Sequence, residues 1–319
     1  MPAELNRESE AAQCGVRETA RRAFPQKTSN LRELDRRGGR GARFGAGTVD
    51  SIGAPRVRAH GQTMLWEPVI MTHHPSHPET SESAVDVAER GAPKNGVPQT
   101  MDRRLFMQLL VFAYEGELAP GEFVRRLSGA LEAQGAPTVL YEDVNHPSGF
   151  GLLSWSEDPT DFVTKLRPAL TSSDLTGLKM RPEFTMLGRS YSSGFEDDLK
   201  FWLLDRPVKT VTNPAWPWAI WYPLRRIGAF EKLEGREKGS ILREHAVIGK
   251  RYGNADLAHD VRLACHGLDA NDNEFVIGLI GKELHPLSHV VQTMRGTRQT
   301  SEYIGHMGPF FVGRALHAR

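Results

Sequence analysis

Residues 104–114, RLFMQLLVFAY, open a pattern that the chain runs through twice, and that repetition decides the fold. The run is apolar, free of turn residues and of strand length. Residues 120–135, PGEFVRRLSGALEAQG, then put Phe123, Val124, Leu127 and Leu131 on one helical face and stop at Gly135. PTVLYED and GFGLLSWS follow as two strands around a turn with Asn145, Pro147 and Gly149. DPTDFVTKLRPAL is a second helix, with Phe162, Val163, Leu166 and Leu170 on one side, and a strand around EFTMLGRSY closes the set.

The same order returns as strand WPWAIWYPL, helix REKGSILREHAVIGKRY, strands DVRLACHGL and NEFVIGLIG, helix HPLSHVVQTMR and strand GPFFVG. Each half is β-α-β-β-α-β. The expected fold is therefore α+β: two tandem ferredoxin-like units packed sheet to sheet, the dimeric α+β barrel type, so that each open sheet face is covered. Its divisions are a tail at 1–100, an amino-terminal unit at 101–195, a connector at 196–215 and a carboxyl-terminal unit at 216–319.

The chain is 39% hydrophobic and 25% charged, ordinary values for a globular protein. A formal net charge of +1 supplies no field to steer nucleic acid or a membrane surface, so neither is an expected partner. Two cysteines, Cys14 and Cys265, cannot build a disulfide framework and point to a reducing, cytoplasmic setting. No apolar run approaches the roughly 20 residues that span a bilayer, and no secretory signal is read.

Residues 1–100 are rich in Gly, Pro, Ser and charge and lack a sustained apolar period, so disorder is expected there. The first sixty residues hold 12 Lys and Arg against 7 Asp and Glu, a basic tail suited to an acidic partner and too acidic for a transit peptide. Met71 and Met101 are alternative starts. His73, His74 and His77 could hold a metal, though a polar tail gives them no frame.

Residues 241–252, ILREHAVIGKRY, pose the functional question. The apolar side of this helix carries Ile241, Leu242 and Ile248, and also His245. An ionisable ring there is either a core histidine hydrogen-bonded to a carbonyl or a metal or haem ligand.

WYPL (221–224), LREHAVIG (242–249), CHGLDANDNEF (265–275), TMRGTRQTSEY (293–303) and GPFFVG (308–313) occur in this order. The series resembles the chlorite dismutase-like haem proteins, and within them the coproheme decarboxylase branch. The resemblance covers roughly residues 216–314; in 104–190 it rests on fold order.

The resemblance implies that His245 is the proximal iron ligand. The family's carboxylate partner for that ring falls on Ile280, with Glu283 three residues on, so a strongly anionic imidazole is not expected. Tyr222 matches the family's radical-relay tyrosine, and strand alternation turns it the same way as Trp218 and Ile220, opposite Ala219 and Trp221. The family's methionine and lysine fall on Leu224 and Arg226. Arginine holds its proton too firmly to donate it but suits a propionate. Arg225, Arg226, Arg295 and Arg298, with Ser301, are the expected propionate-binding residues. For the distal side, counting back from Gly267 gives Asp260, and a slip of two gives Arg262 on the same strand face. His259, Val261, Leu263 and Cys265 face the other way, and His266 lies beside the turn.

The activity so implied is a haem-binding oxidoreductase. It performs peroxide-dependent oxidative decarboxylation of iron-coproporphyrin III to haem b, with the porphyrin as both substrate and cofactor and hydrogen peroxide as oxidant. Chlorite dismutation on haem b, which needs a distal arginine, and non-catalytic haem binding or assembly are the alternatives. The family implies a homopentamer, with FWLLDRP (201–207) as apolar surface for a neighbour.

Overall fold

The computed structural model describes residues 85–173 and 175–318. The expectations for Cys14, Met71, His73, His74 and His77 lie outside the described residues.

Ordered structure begins earlier than the expected boundary at Met101. Glu89–Lys94 (β1) and Val97–Met101 (β2) pair as an antiparallel hairpin. Asn95 and Gly96 sit between them at φ 53° and 78°, the left-handed pair of a type I′ turn, which Asn-Gly favours. A chain starting at Met101 would lack β1 and most of β2. The hairpin is tied to the start of the connector: Ala92 N–H donates to the Glu196 carbonyl at 2.9 Å. The Gln99 amide donates to the carbonyls of Glu196 and Asp197 at 3.1 and 3.0 Å.

The first unit runs Phe106–Tyr114 (β3), Pro120–Ala133 (α1), Thr138–Asp143 (β4) and Gly149–Ser156 (β5). A wide helical turn at Phe162–Leu166 leads into Arg167–Leu170 (α2), then Leu178–Met180 (β6) and Met186–Arg189 (β7). The connector repeats the device: a wide turn at Phe201–Asp205 leads into Arg206–Val211 (α3). In both places a proline, Pro168 or Pro207, follows the wide turn. Proline has no N–H and crowds the carbonyl one turn back, which a widened turn relieves.

The second unit runs Trp218–Arg226 (β8), Gly235–Asn254 (α4), His259–Ala264 (β9), Phe275–Gly281 (β10), Leu284–Arg295 (α5), Ile304–Met307 (β11) and Phe311–Ala318 (β12). The two sheets are joined at both edges as well as facing each other. β8, β10, β9, β7, β3, β5, β4 and β12 follow in order and return to β8, a closed ring. The seams are unequal. β4 and β12 pair from Gly313↔Asp143 to Ala318↔Val139, whereas β7 meets β9 only at Arg189↔Ala264.

Alternation fills the ring with Met107, Leu109, Val111, Tyr141, Leu153, Trp221, Val261, Leu263, Ile280 and Phe311. The connector adds Leu199, Leu203, Leu204 and Val211 to this interior. FWLLDRP is thus not the apolar surface expected: Leu203 and Leu204 are 0% and 6% exposed, and Phe201 is the large apolar residue left outside. The helical period turns Leu204, Pro207 and Val211 to one side, and that side is inward. Among the described residues no helix is long and apolar enough to cross a membrane.

Candidate functional site

The outer face of the second sheet carries the candidate residues. Tyr222 on β8 pairs with Ile277 on β10, which pairs with Arg262 on β9; one step along, Ile220, Leu279 and Asp260 form a parallel row. Tyr222 and Arg262 are therefore two strand spacings apart, roughly 10 Å, on one face. Ala219, Trp221, Val261, Leu263 and Cys265 turn into the ring. α5 lies over β8 and β10, and α4 over β9.

α4 packs loosely for its length. Ile241 is its one fully buried residue, while Leu242 and Val247 are exposed. His245 is half-buried, its Nδ1 3.5 Å from the Thr297 hydroxyl oxygen. That hydroxyl donates to the Met294 carbonyl at 2.7 Å and accepts from the Thr300 N–H at 3.4 Å, which leaves one lone pair to face His245 Nδ1. With the proton on Nδ1, facing that oxygen, Nε2 would keep a free electron pair. Burial lowers the His245 pKa, and the Arg262 charge lowers it further, so the ring is held neutral. A neutral imidazole with a bare Nε2 fits an iron-porphyrin ligand. Ile280 points into the ring interior and Glu283 immediately precedes α5, so the hydroxyl of Thr297 stands where a carboxylate partner would.

Below His245 lies a charged cluster. Asp260 Oδ2 and Arg262 Nε are 2.9 Å apart, and Arg206 of α3 donates to the Asp260 carbonyl at 2.8 Å and to Oδ1 at 2.7 Å. Burial alone would raise the Asp260 carboxyl, but the Arg262 and Arg206 charges hold it below the usual range. Tyr222 is 7% exposed and stacks on Phe310 at 4.6 Å. Burial, then the Asp260 charge, pushes its phenol far above its ordinary pKa, so it stays protonated. Tyr191, just past β7, meets Phe275 at 5.6 Å with the rings tilted, and its burial likewise raises its pKa against the Arg262 charge.

The four expected propionate arginines do not converge. Arg226 is held by Glu274 at 3.0 Å and Glu231 at 3.3 Å, and lies over the rings of Phe230 and Phe275. Arg298 pairs with Glu237 at 2.8 Å and Glu302 at 2.9 Å. Arg225 pairs with exposed Asp272 from the other strand face. The Ser301 hydroxyl donates to the Thr297 carbonyl at 2.9 Å. Arg295 alone of the four has no ion pair among the described residues. It borders a groove with Ile220, Val291, Phe310 and Val312, on the flank of α5 opposite the His289 and Thr293 that meet Tyr252 of α4.

Arg206 and Thr297 escaped sequence reading. Arg206 lies 54 residues before Asp260 in an apparent linker, and Thr297 follows a helix end, where a threonine carries no special signal.

A family model for chlorite dismutase matches residues 134–316, more than half of the chain. No curated protein sequence matches. A solved haem-binding protein from Thermus thermophilus shares 18% identity and a TM-score of 0.55, covering 67% of this chain and 92% of its own. A mutant chlorite dismutase from Candidatus Nitrospira defluvii, in complex with cyanide, shares 14% identity and a TM-score of 0.52 over 67% and 92%. These likenesses concern the fold, and with the family match they settle one point: the chain belongs to the chlorite dismutase family.

Proposed function

We propose that the carboxyl-terminal unit binds an iron porphyrin through Nε2 of His245 and acts as a haem-dependent oxidoreductase. The reaction is peroxide-dependent oxidative decarboxylation of iron-coproporphyrin III to haem b. The observation that carries this reading is buried Tyr222 on the outer sheet face that α4 and α5 cover, with a hydroxyl rather than a carboxylate near His245 Nδ1.

Bound iron supplies peroxide activation; the chain's residues do the rest. Thr297 near Nδ1 gives the His245 ring no carboxylate partner, so the ligand would push less electron density than a carboxylate-paired one. Tyr222, kept protonated by burial, has to give up an electron and a proton together. That suits removal of a hydrogen atom from a propionate β-carbon; loss of carbon dioxide to leave a vinyl group needs one further electron removed, and one hydrogen peroxide, a two-electron oxidant, would cover both. Arg295 is the guanidinium free to take a carboxylate.

Peroxide added to the iron-coproporphyrin complex, followed by porphyrin mass analysis, tests the reading. Stepwise loss of two carboxyl groups is expected, and an unchanged porphyrin contradicts it. Tyr222→Phe should still bind the porphyrin yet slow vinyl formation at least tenfold, a barrier change of about 1.4 kcal/mol or more. Conversion at the parent rate would rule out the relay. Arg262 favours a second reading, chlorite dismutation, which oxygen release from chlorite would reveal. A homopentamer in the cytoplasm completes the proposal; light scattering showing a monomer at micromolar concentration would contradict the assembly.

A further inference from the structure

Arg206, Asp260 and Arg262 form a chain of contacts that ends at the candidate site. β9 pairs with β7 only at Ala264, so the β9 edge at Asp260 has no strand partner on that side. Arg206 comes in from the connector and takes both the Asp260 carbonyl and Oδ1, its own guanidinium lying over the Trp202 ring at 4.8 Å. The second carboxylate oxygen, Oδ2, faces Arg262 Nε at 2.9 Å. Asp260 thus spends one oxygen on each arginine.

Two consequences follow. Arg262 Nε is ion-paired with Asp260, and its terminal N–H groups have no hydrogen-bond partner among the described residues. Its side chain is 45% exposed, so a ligand can reach it. The cluster of two guanidiniums and one carboxylate also keeps a net charge of +1, where an isolated Asp260–Arg262 pair would be neutral. The charge lies on β9, the strand that α4, with His245, covers.

We infer that Asp260, anchored by Arg206, is a positioning residue that aims the terminal guanidinium N–H groups of Arg262 as a receptor for a small anion bound opposite His245. The class is the deprotonated peroxide or a similar oxyanion. The inference rests on the reading that His245 holds an iron porphyrin. An oriented guanidinium binds an anion without first losing side-chain freedom, and releasing it costs about two- to tenfold in affinity.

Fluoride binding to the ferric porphyrin complex, followed by absorbance, separates positioning from charge. Asp260→Asn removes a negative charge, so through-space electrostatics alone predicts tighter fluoride binding. Positioning predicts the opposite, roughly three- to tenfold weaker binding, with affinity for the neutral ligand imidazole unchanged. Arg206→Ala should weaken fluoride similarly, and the double variant should be no weaker than Asp260→Asn, because both act through one contact chain. Equal or tighter fluoride binding in Asp260→Asn, or additive losses, overturns the inference.

Should Asp260→Asn fold poorly, Arg206→Lys provides the second route: it keeps the charge, loses the two-point grip, and should also weaken fluoride. In the porphyrin-free chain, a dicarbonyl reagent should modify Arg262 faster in Asp260→Asn than in the parent, and an equal rate counts against the anchor. If the parent binds no ferric porphyrin, the functional reading fails. If it binds through His245 and only the fluoride result goes the other way, the positioning inference alone fails.

Discussion

The two units share one strand and helix order but use their outer faces differently. On the first, α1 buries Phe123, Leu127 and Leu131, and Phe123 stacks on Tyr114 at 4.0 Å and meets Phe150 at 5.4 Å. On the second, α4 is longer by six residues, 20 against 14, yet buries only Ile241 completely. His245 sits on α4 itself, Asp260 and Arg262 lie on β9 beneath it, and Tyr222 lies on β8 under α5. The first unit spends its outer face on stability. The second leaves packing unused and places titratable and redox-capable groups there, as a ligand site between helix and sheet requires.

Substitutions at equivalent places should break this comparison apart. Phe123→Ala leaves a cavity under α1 and should cost about 3–5 kcal/mol, read from urea unfolding of the porphyrin-free protein. A cost below about 1 kcal/mol would mean the first outer face is no better packed than the second.

Between the units, Glu196 gives a smaller and pH-dependent effect. Its carboxylate is 7% exposed and accepts from Ser193 N–H and hydroxyl at 2.8 and 2.7 Å and from the Gly194 and Phe195 N–H groups at 3.0 Å. Burial works to raise its pKa, but these hydrogen bonds bring it below the ordinary value of 4.5. The folded-state pKa lies below the unfolded one. Its stabilisation is therefore complete above the unfolded value and is lost as pH falls through the folded value. Glu196→Gln should cost about 1–3 kcal/mol at pH 7, and the gap to the parent should close in acid. A gap that widens on acidification contradicts the assignment.

The smallest effect belongs to α4. Leu242→Ala should change porphyrin-free stability by no more than about 0.5 kcal/mol, because Leu242 is 40% exposed.

Periodicity made most of the fold legible. The alternation at Trp218–Tyr222 and Asp260–Cys265 separated ring interior from outer face, and the structure divides these residues the same way. The hairpin at 89–101 was missed although Asn95-Gly96 marks it, because its strands carry Pro, Gly and charge rather than an apolar run. The connector was read as surface because a linker's partners are distant in sequence; its leucines instead complete the ring core. For the candidate site, motif order singles out His245 and Tyr222. Arginine and carboxylate pairing was not, since Glu274, Glu231 and Glu237 claim Arg226 and Arg298 only once the chain is folded.

The central claim is that the loosely packed face of the second unit binds iron porphyrin through His245. Titrating ferric coproporphyrin into parent and His245→Ala proteins, with absorbance for ligation and circular dichroism for folding, tests it directly. The account predicts a histidine-ligated ferric spectrum in the parent, its loss in His245→Ala, and the same fold in both. An unchanged ferric spectrum in a folded His245→Ala protein would assign the iron to another residue and contradict the account.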